Sequence, residues 1–211
     1  MCYHAETTYN VNSLKERYKA RPSEEFKSKP QTNVYCNGFT KPQMPIIKQE
    51  SPSEVHLFNW WLIPFWTKKE KLYKYNTLNA KAETIHSLPS FRECIKSRRC
   101  VIPTTSFYEW KWNDSKGKSK TKFQIGVNEE VFSLAGIYDS WVDRETGEIF
   151  NTFAIITTRA NPMMAKIHNT KKRMPVILKP EDENKWLDIQ EPIGNFAYPY
   201  TVRLSAQYEM F

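Results

Sequence analysis

The sequence predicts one α+β domain over residues 1–211, built mainly on antiparallel sheet. Three observations predict it. Strand candidates are interrupted by short, irregularly placed helices, so no regular βαβ alternation runs along the chain. No repeat and no linker-like stretch divides the 211 residues, a length suited to a single core of ordinary size. Hydrophobic residues make up 40% and aromatics 14%, enough apolar surface to fold rather than stay disordered.

The elements follow in order. Residues 12–20 read as a short helix, with Ser13 and Glu16 in capping-box spacing and Val11, Leu14 and Tyr18 near helical period. Residues 21–54 are polar and proline-rich and read as an extended, loop-rich arm. The aromatic stretch "EVHLFNWWLIPFW" (54–66) follows, punctuated by Pro64. "SFRECIKSRRC" (90–100) repeats the capping-box device with Ser90 and Glu93 and predicts a second helix. Strands are expected at 99–103, 106–112 and 122–127, with the lysine-rich turn 113–121 between the last two. Residues 131–141 and 149–158 make a hairpin around "VDRETGE". Asn161 followed by Pro162 suits an N-cap and a first helical position. "MPVIL" (174–178) is the last strand, and "PEDENKWLDI" a closing helix.

Composition limits the function classes. No apolar run approaches the ~20 residues that span a bilayer, and the N-terminus lacks a signal-peptide pattern, so a cytoplasmic protein without membrane attachment is expected. The four cysteines (Cys2, Cys36, Cys94, Cys100) show no metal-ligand spacing. They are expected to be free thiols, with neither metal nor cofactor. The formal charge of +8 favours an anionic partner, nucleic acid first, although a solvated basic surface gives the same excess.

Several residues carry candidate chemistry. On the strand "SFYEWKW", alternation puts Phe107, Glu109 and Lys111 on one face. Glu109 then lies either at the sheet surface beside lysine or in a partly dry pocket, where its pKa would rise toward general acid/base use. Taken alone, the stretch favours the surface. His168 ends a predicted helix beside a basic run, and taken alone reads as a C-terminal histidine satisfied by carbonyls. Asn79 is a turn residue or a neutral hydrogen-bonding group. Trp60, Trp61, Phe65 and Trp66 belong to a core, or stack on unpaired bases. Lys81, Arg98, Arg99, Lys171, Lys172 and Arg173 are phosphate contacts or solvated charges. Cys2 is unusual for its place, since chain ends are usually the least ordered part. Removal of Met1 would give it an α-amino group and a thiol on adjacent carbons.

Together, "MC", "WWLIPFW", "LNAKAET", "RRCVIPTTSFYEW", "LAGIYDSW" and "TFAIITTRAN…MAKIHNTKKRMPVIL" resemble the SOS-response-associated peptidase family. The motifs keep the family's order from residue 2 to about 187. The resemblance implies a barrel-like core with peripheral short helices. It also implies a monomer that senses abasic sites in single-stranded DNA and cross-links to them, in the cytoplasm and on the nucleoid after damage. The matching active-site positions are Cys2, Asn79, Glu109 and His168. His4 and Lys81 stand where the family usually has arginine, and Trp61 where it has the glycine of "WGLIP". His4, Lys81, Trp66, Arg98, Arg99, Lys171, Lys172 and Arg173 are the expected DNA contacts.

The implied chemistry uses both nucleophiles of a processed Cys2. The amine, with a reference pKa of about 8, condenses with the ring-opened sugar aldehyde, and the thiol closes a thiazolidine by a favoured intramolecular step. Glu109 is expected to shuttle protons, His168 to protonate a sugar oxygen or the departing hydroxyl, and Asn79 to hold the amine. Two other classes stay open: a cysteine-nucleophile peptidase or amidohydrolase, and a non-catalytic single-strand-binding module.

Overall fold

The computed structural model describes residues 2–7, 11–28, 34–72, 74, 76–127, 131–199 and 204–208. The chain begins with β1 (His4–Thr7), α1 (Val11–Tyr18), β2 (Arg21–Pro22), α2 (Glu24–Ser28), β3 (Val34–Asn37), β4 (Gln43–Lys48) and β5 (Ser51–Trp60). It continues through β6 (Asn79–Lys81), α3 (Arg92–Ser97), β7 (Arg99–Thr104), β8 (Ser106–Trp112), β9 (Lys120–Val127), β10 (Phe132–Val142) and β11 (Ile149–Arg159). It ends with α4 (Pro162–Ile167), β12 (Arg173–Pro175), β13 (Ile177–Leu178), α5 (Glu183–Leu187) and β14 (Leu204–Tyr208).

The expected α+β architecture is present. One sheet has the order β14-β9-β8-β1-β3, with its β1, β8 and β9 pairings all antiparallel. In the other, β11, β10, β7, β4 and β5 pair in succession, and a parallel contact of Asn59 and Trp60 with Thr152 and Phe153 returns β5 to β11. That contact closes a five-strand barrel and removes the open edges. Among the described residues no helix is long and apolar enough to cross a membrane.

The period of two along the barrel strands sorts side chains between two cores. Cys100, Ile102, Leu134, Tyr138, Phe153 and Ile155 enter one, together with Ala5 and Phe107 from the smaller sheet and Cys2 just ahead of it. Val101, Ala135, Ile137, Ala154 and Ile156 point the other way, under Leu14 of α1, Phe26 of α2, Ile95 of α3 and Trp186 of α5. Strands buried on both faces read as continuous apolar runs, which is why β10 and β11 are easily seen in the sequence.

Some elements differ from the sequence reading. α1 starts at Val11 and α3 at Arg92, so Ser13 lies inside its helix and Ser90 precedes the N-cap position, Phe91. Ser-x-x-Glu spacing also arises without capping. Residues 21–54 are not a loop-rich arm: they hold β2, α2, β3, β4 and the start of β5. Pro45 disguised β4. It sits where β4 pairs with β5 alone, because pairing with β7 involves only Ile47 and Lys48, so the N–H it lacks breaks no ladder there. The predicted strand at 174–178 is two short ones, β12 on β11 and β13 on β10, parted at Val176.

Arg99 begins β7 and is only 3% exposed. Its Nε donates to the Ile95 carbonyl at 3.1 Å, and its Nη1 to those of Trp186, Asp188 and Glu191 at 3.5, 3.2 and 2.8 Å. The guanidinium also stacks over the Trp186 ring. It holds the segment after α5 against the barrel, so the expected DNA contact at Arg99 is corrected to a buried structural role. Arg99→Met should destabilise the fold by about 3 kcal/mol in urea denaturation, because it strands buried carbonyls, while leaving DNA affinity of the folded protein unchanged.

Candidate active site around Cys2

β1 brings the start of the chain into the molecule. It is paired on both edges, to β3 through His4–Asn37 and Ala5–Cys36, and to β8 through His4–Tyr108 and Ala5–Phe107. Cys2 lies immediately before it and is fully buried. Asn79, at the start of β6, donates its Nδ2 to the Cys2 carbonyl at 2.7 Å. The same amide's Oδ1 is buried and has no hydrogen-bond partner. An unsatisfied buried acceptor costs stability unless something completes it, so this atom marks a place for a ligand or an amine.

Glu109 is 5% exposed. It lies on the inner face of β8 with Phe107, so the surface reading of this residue is corrected: it sits in the dry pocket. Burial pushes its carboxyl up from 4.5 to about 7. The neighbouring Cys2 thiol is pushed well above its ordinary range, first by burial and then by the Glu109 charge, and stays protonated at neutral pH.

His168 follows α4, which Asn161 caps by accepting from the Met164 N–H at 2.8 Å, with Pro162 in the first turn. Its Nε2 stands 3.9 Å from Glu109 Oε2, beyond direct hydrogen bonding. Its Nδ1 lies 3.1 Å from both the N–H and the carbonyl of Arg173. The N–H serves an unprotonated Nδ1 and the carbonyl serves a protonated one, so the ring is held in either state. Burial lowers the imidazole to about 4. The usual order is therefore inverted, and near neutral pH the exchangeable proton belongs to Glu109 rather than to His168.

The expected DNA contacts divide. Lys81, Lys171 and Lys172 are exposed. Arg173 instead forms a two-pronged ion pair with Glu83 at 2.6 and 2.8 Å and donates to the Thr157 carbonyl, so its guanidinium is committed within the protein. Arg98 stands against Asp139 at 3.3 Å, half-buried. His4 Nδ1 meets the Tyr35 hydroxyl at 2.7 Å, and its ring packs edge-on to Trp110. Trp66 is 46% exposed and lines a separate cleft of about 310 Å³ with Phe65, Trp141 and Lys69. Sequence reasoning missed Tyr35, Phe39 and Lys41. The only signal they gave was aromatic and basic character in the stretch read as an arm. Among the described residues no cluster of His, Cys, Asp and Glu could hold a metal ion.

The buried carboxyl has a cost that pH exposes. The folded Glu109 pKa lies above the unfolded one, so ionisation draws stability away as pH rises from about 4.5 to about 7. Glu109→Gln should match the wild type near pH 4, exceed it increasingly through that window, and hold its full advantage above it. Thermal melts across the range would show this; a constant offset would mean that the carboxyl is not desolvated.

Comparison with known proteins identifies the group to which these features belong. Residues 1–205 match the SOS response associated peptidase (SRAP) family. Abasic site processing protein YoqW of Bacillus subtilis (strain 168) is 41% identical over 145 residues, 69% of this chain and 62% of its own length. Abasic site processing protein HMCES of Mus musculus is 31% identical over 160 residues, 63% of this chain and 44% of its own. The alignments thus span less than two thirds of either relative. A crystal structure of a protein from Bacteroides thetaiotaomicron matches with a TM-score of 0.90 and 39% identity, over 98% of this chain and 91% of that one. The chain belongs to the SOS response associated peptidase family.

Proposed function

We propose that this protein captures abasic sites in single-stranded DNA covalently, through a thiazolidine formed by Cys2 once residue 1 has been removed. The observation that carries the reading is the convergence of Asn79 and Glu109 on Cys2, with His168 beyond the carboxyl. The names of the relatives, abasic site processing proteins, support the substrate class. Removing residue 1 generates the amine on Cys2. In this reading the peptidase activity of the family name amounts to that cleavage.

The proton inventory closes without an outside acid. The Cys2 amine adds to the aldehyde carbon, giving a carbinolamine. Protonated Glu109 gives its proton to the departing hydroxyl, water leaves, and an iminium forms beside a carboxylate. The thiol, kept as S–H by burial, passes its proton to that carboxylate as sulfur bonds to the iminium carbon. The products are a neutral ring, one water and a regenerated carboxyl. A group with a pKa of about 7 suits both transfers. Asn79 fixes the Cys2 carbonyl, so amine and thiol stay directed at one carbon, and its Oδ1 accepts from the amine. His168, neutral at pH 7, donates a hydrogen bond through Nε2 to the sugar oxygen instead of supplying the proton.

Incubation with an abasic single-stranded oligonucleotide should give a heat-stable band on a denaturing gel. The N-terminal peptide should gain the sugar mass less one water. Cys2→Ala should form no such band, and normal adduct formation by that variant would overturn the thiazolidine. Salt-sensitive binding without a covalent band would indicate a binding module, and amide turnover without DNA a hydrolase.

Glu109→Gln should slow cross-linking by about 100-fold while leaving noncovalent affinity intact. The wild-type rate should peak between the Glu109 value of about 7 and the reference amine pKa of about 8, since one group must hold its proton and the other must have lost it. A rate that climbs steadily past pH 9 would remove Glu109 from the acid role.

A further inference from the structure

A second concavity borders the site without belonging to it. It is a cleft of about 230 Å³ between the turn after β3 and the segment leading into β6, lined by Phe39, Lys41, Trp61, Lys74 and Asn76. Its position relative to Cys2 is fixed by the main chain. The Gly38 N–H donates to the Tyr3 carbonyl at 2.8 Å, and the Phe39 and Tyr3 rings pack with centroids 4.9 Å apart. A Cβ at Gly38 would press on the Tyr3 carbonyl, Leu78 and Trp60 at 3.2–3.3 Å, so the turn approaches this closely because the residue is glycine. The far wall ends at Leu78, one residue before Asn79.

Three features of the cleft are unexpected in a merely structural turn. Phe39 is 58% exposed. Lys41 adopts a left-handed backbone at φ 54°, held by its N–H to the Gly38 carbonyl at 3.0 Å and by Asn59 Nδ2 on its own carbonyl at 3.0 Å. A strained non-glycine residue persists only where its surroundings fix it, and such residues gather at ligand sites. The Lys41 ammonium is set 3.7 Å from the centroid of the Trp61 ring. Trp61 stands where the family motif has glycine, so this cation–aromatic pair belongs to this chain.

We propose that the cleft is a binding subsite for one nucleotide adjoining the abasic sugar. Phe39 stacks on its base, Asn76 hydrogen-bonds the base edge, and Lys41 and Lys74 face its phosphate. Trp61 is a positioning residue: its indole holds the Lys41 charge at the mouth of the cleft. The inference rests on the function proposed above and adds the nucleotide next to the lesion as a recognised group.

The test uses noncovalent binding, so it does not depend on the cross-link. Fluorescence anisotropy would measure the mature protein on single-stranded oligonucleotides whose central tetrahydrofuran spacer has no aldehyde. In two further oligonucleotides a second spacer replaces the base on the 5′ or the 3′ side. Wild-type affinity should fall about 10-fold for one of them, the scale of a single stacked base. Phe39→Ala, at an exposed position, should bind the fully flanked oligonucleotide as weakly as wild type binds the spacer version, and should lose no more on removal of that base. Lys41→Ala should lower the slope of log affinity against log salt by about 1. Equal wild-type affinity for all three oligonucleotides, or a full flanking-base effect in Phe39→Ala, would overturn the subsite. Absence of an adduct on aldehyde-bearing DNA would instead overturn the thiazolidine and leave these affinities to be read on their own.

Discussion

The site depends on the two-sided pairing of β1. A residue next to a chain terminus ordinarily samples many positions, and a nucleophile there would have no fixed relation to an acid or a base. Here residues 4–6 lie between β3 and β8, and the carbonyls just ahead of them are also taken, Cys2 by Asn79 and Tyr3 by Gly38. A slip of one residue would turn every side chain of β1 to the other face and break both carbonyl contacts. The entropy of ordering the N-terminus is thus met by sheet formation before any substrate arrives. That is the condition under which proximity accelerates a two-nucleophile capture.

The same packing sets the electrostatics. Cys2 belongs to the same apolar core as Phe107, Trp60 and Ile63, and burial there removes the water that would keep the Glu109 carboxylate ionised. The carboxyl rises and the imidazole beside it falls, so a group that is usually an acceptor becomes the acid of the pair. Arg173 takes part through its main chain, which grips His168, while its guanidinium is anchored by Glu83 and Thr157. An arginine that reads as a phosphate contact is in this way part of the scaffold of the histidine.

How much of this was legible varies with how local the cause is. The β10–β11 hairpin and the cap of α4 follow from residues adjacent in sequence, and both were readable. β4 was hidden because Pro45 imitates a loop signal, and only the sheet shows that its missing donor falls where no partner strand runs. Glu109 was misplaced for a related reason. Lys111, two residues on, is exposed on the same face, and nothing in "SFYEWKW" shows that residues 2, 79 and 168 come from elsewhere to cover its centre. The four catalytic candidates were found through motif resemblance, whereas their distances, burial and inverted acidity needed the fold.

The charge of +8 has a similar lesson in it. Arginines 99 and 173 use the planar fork on carbonyls and a carboxylate within the protein and Arg98 stands against Asp139, while lysines 81, 171 and 172 stay at the surface. Exposed ammonium groups attract any polyanion over roughly a Debye length, about 8 Å at physiological salt, and do not distinguish one strand from another. If the cations gather DNA without preference, selection has to occur where an aldehyde meets an amine and a thiol on adjacent carbons, because undamaged nucleotides have no such carbonyl to offer. In the proposed function the lysine surface then sets how often a strand arrives, and the dry pocket, with the neighbouring cleft, determines what is retained.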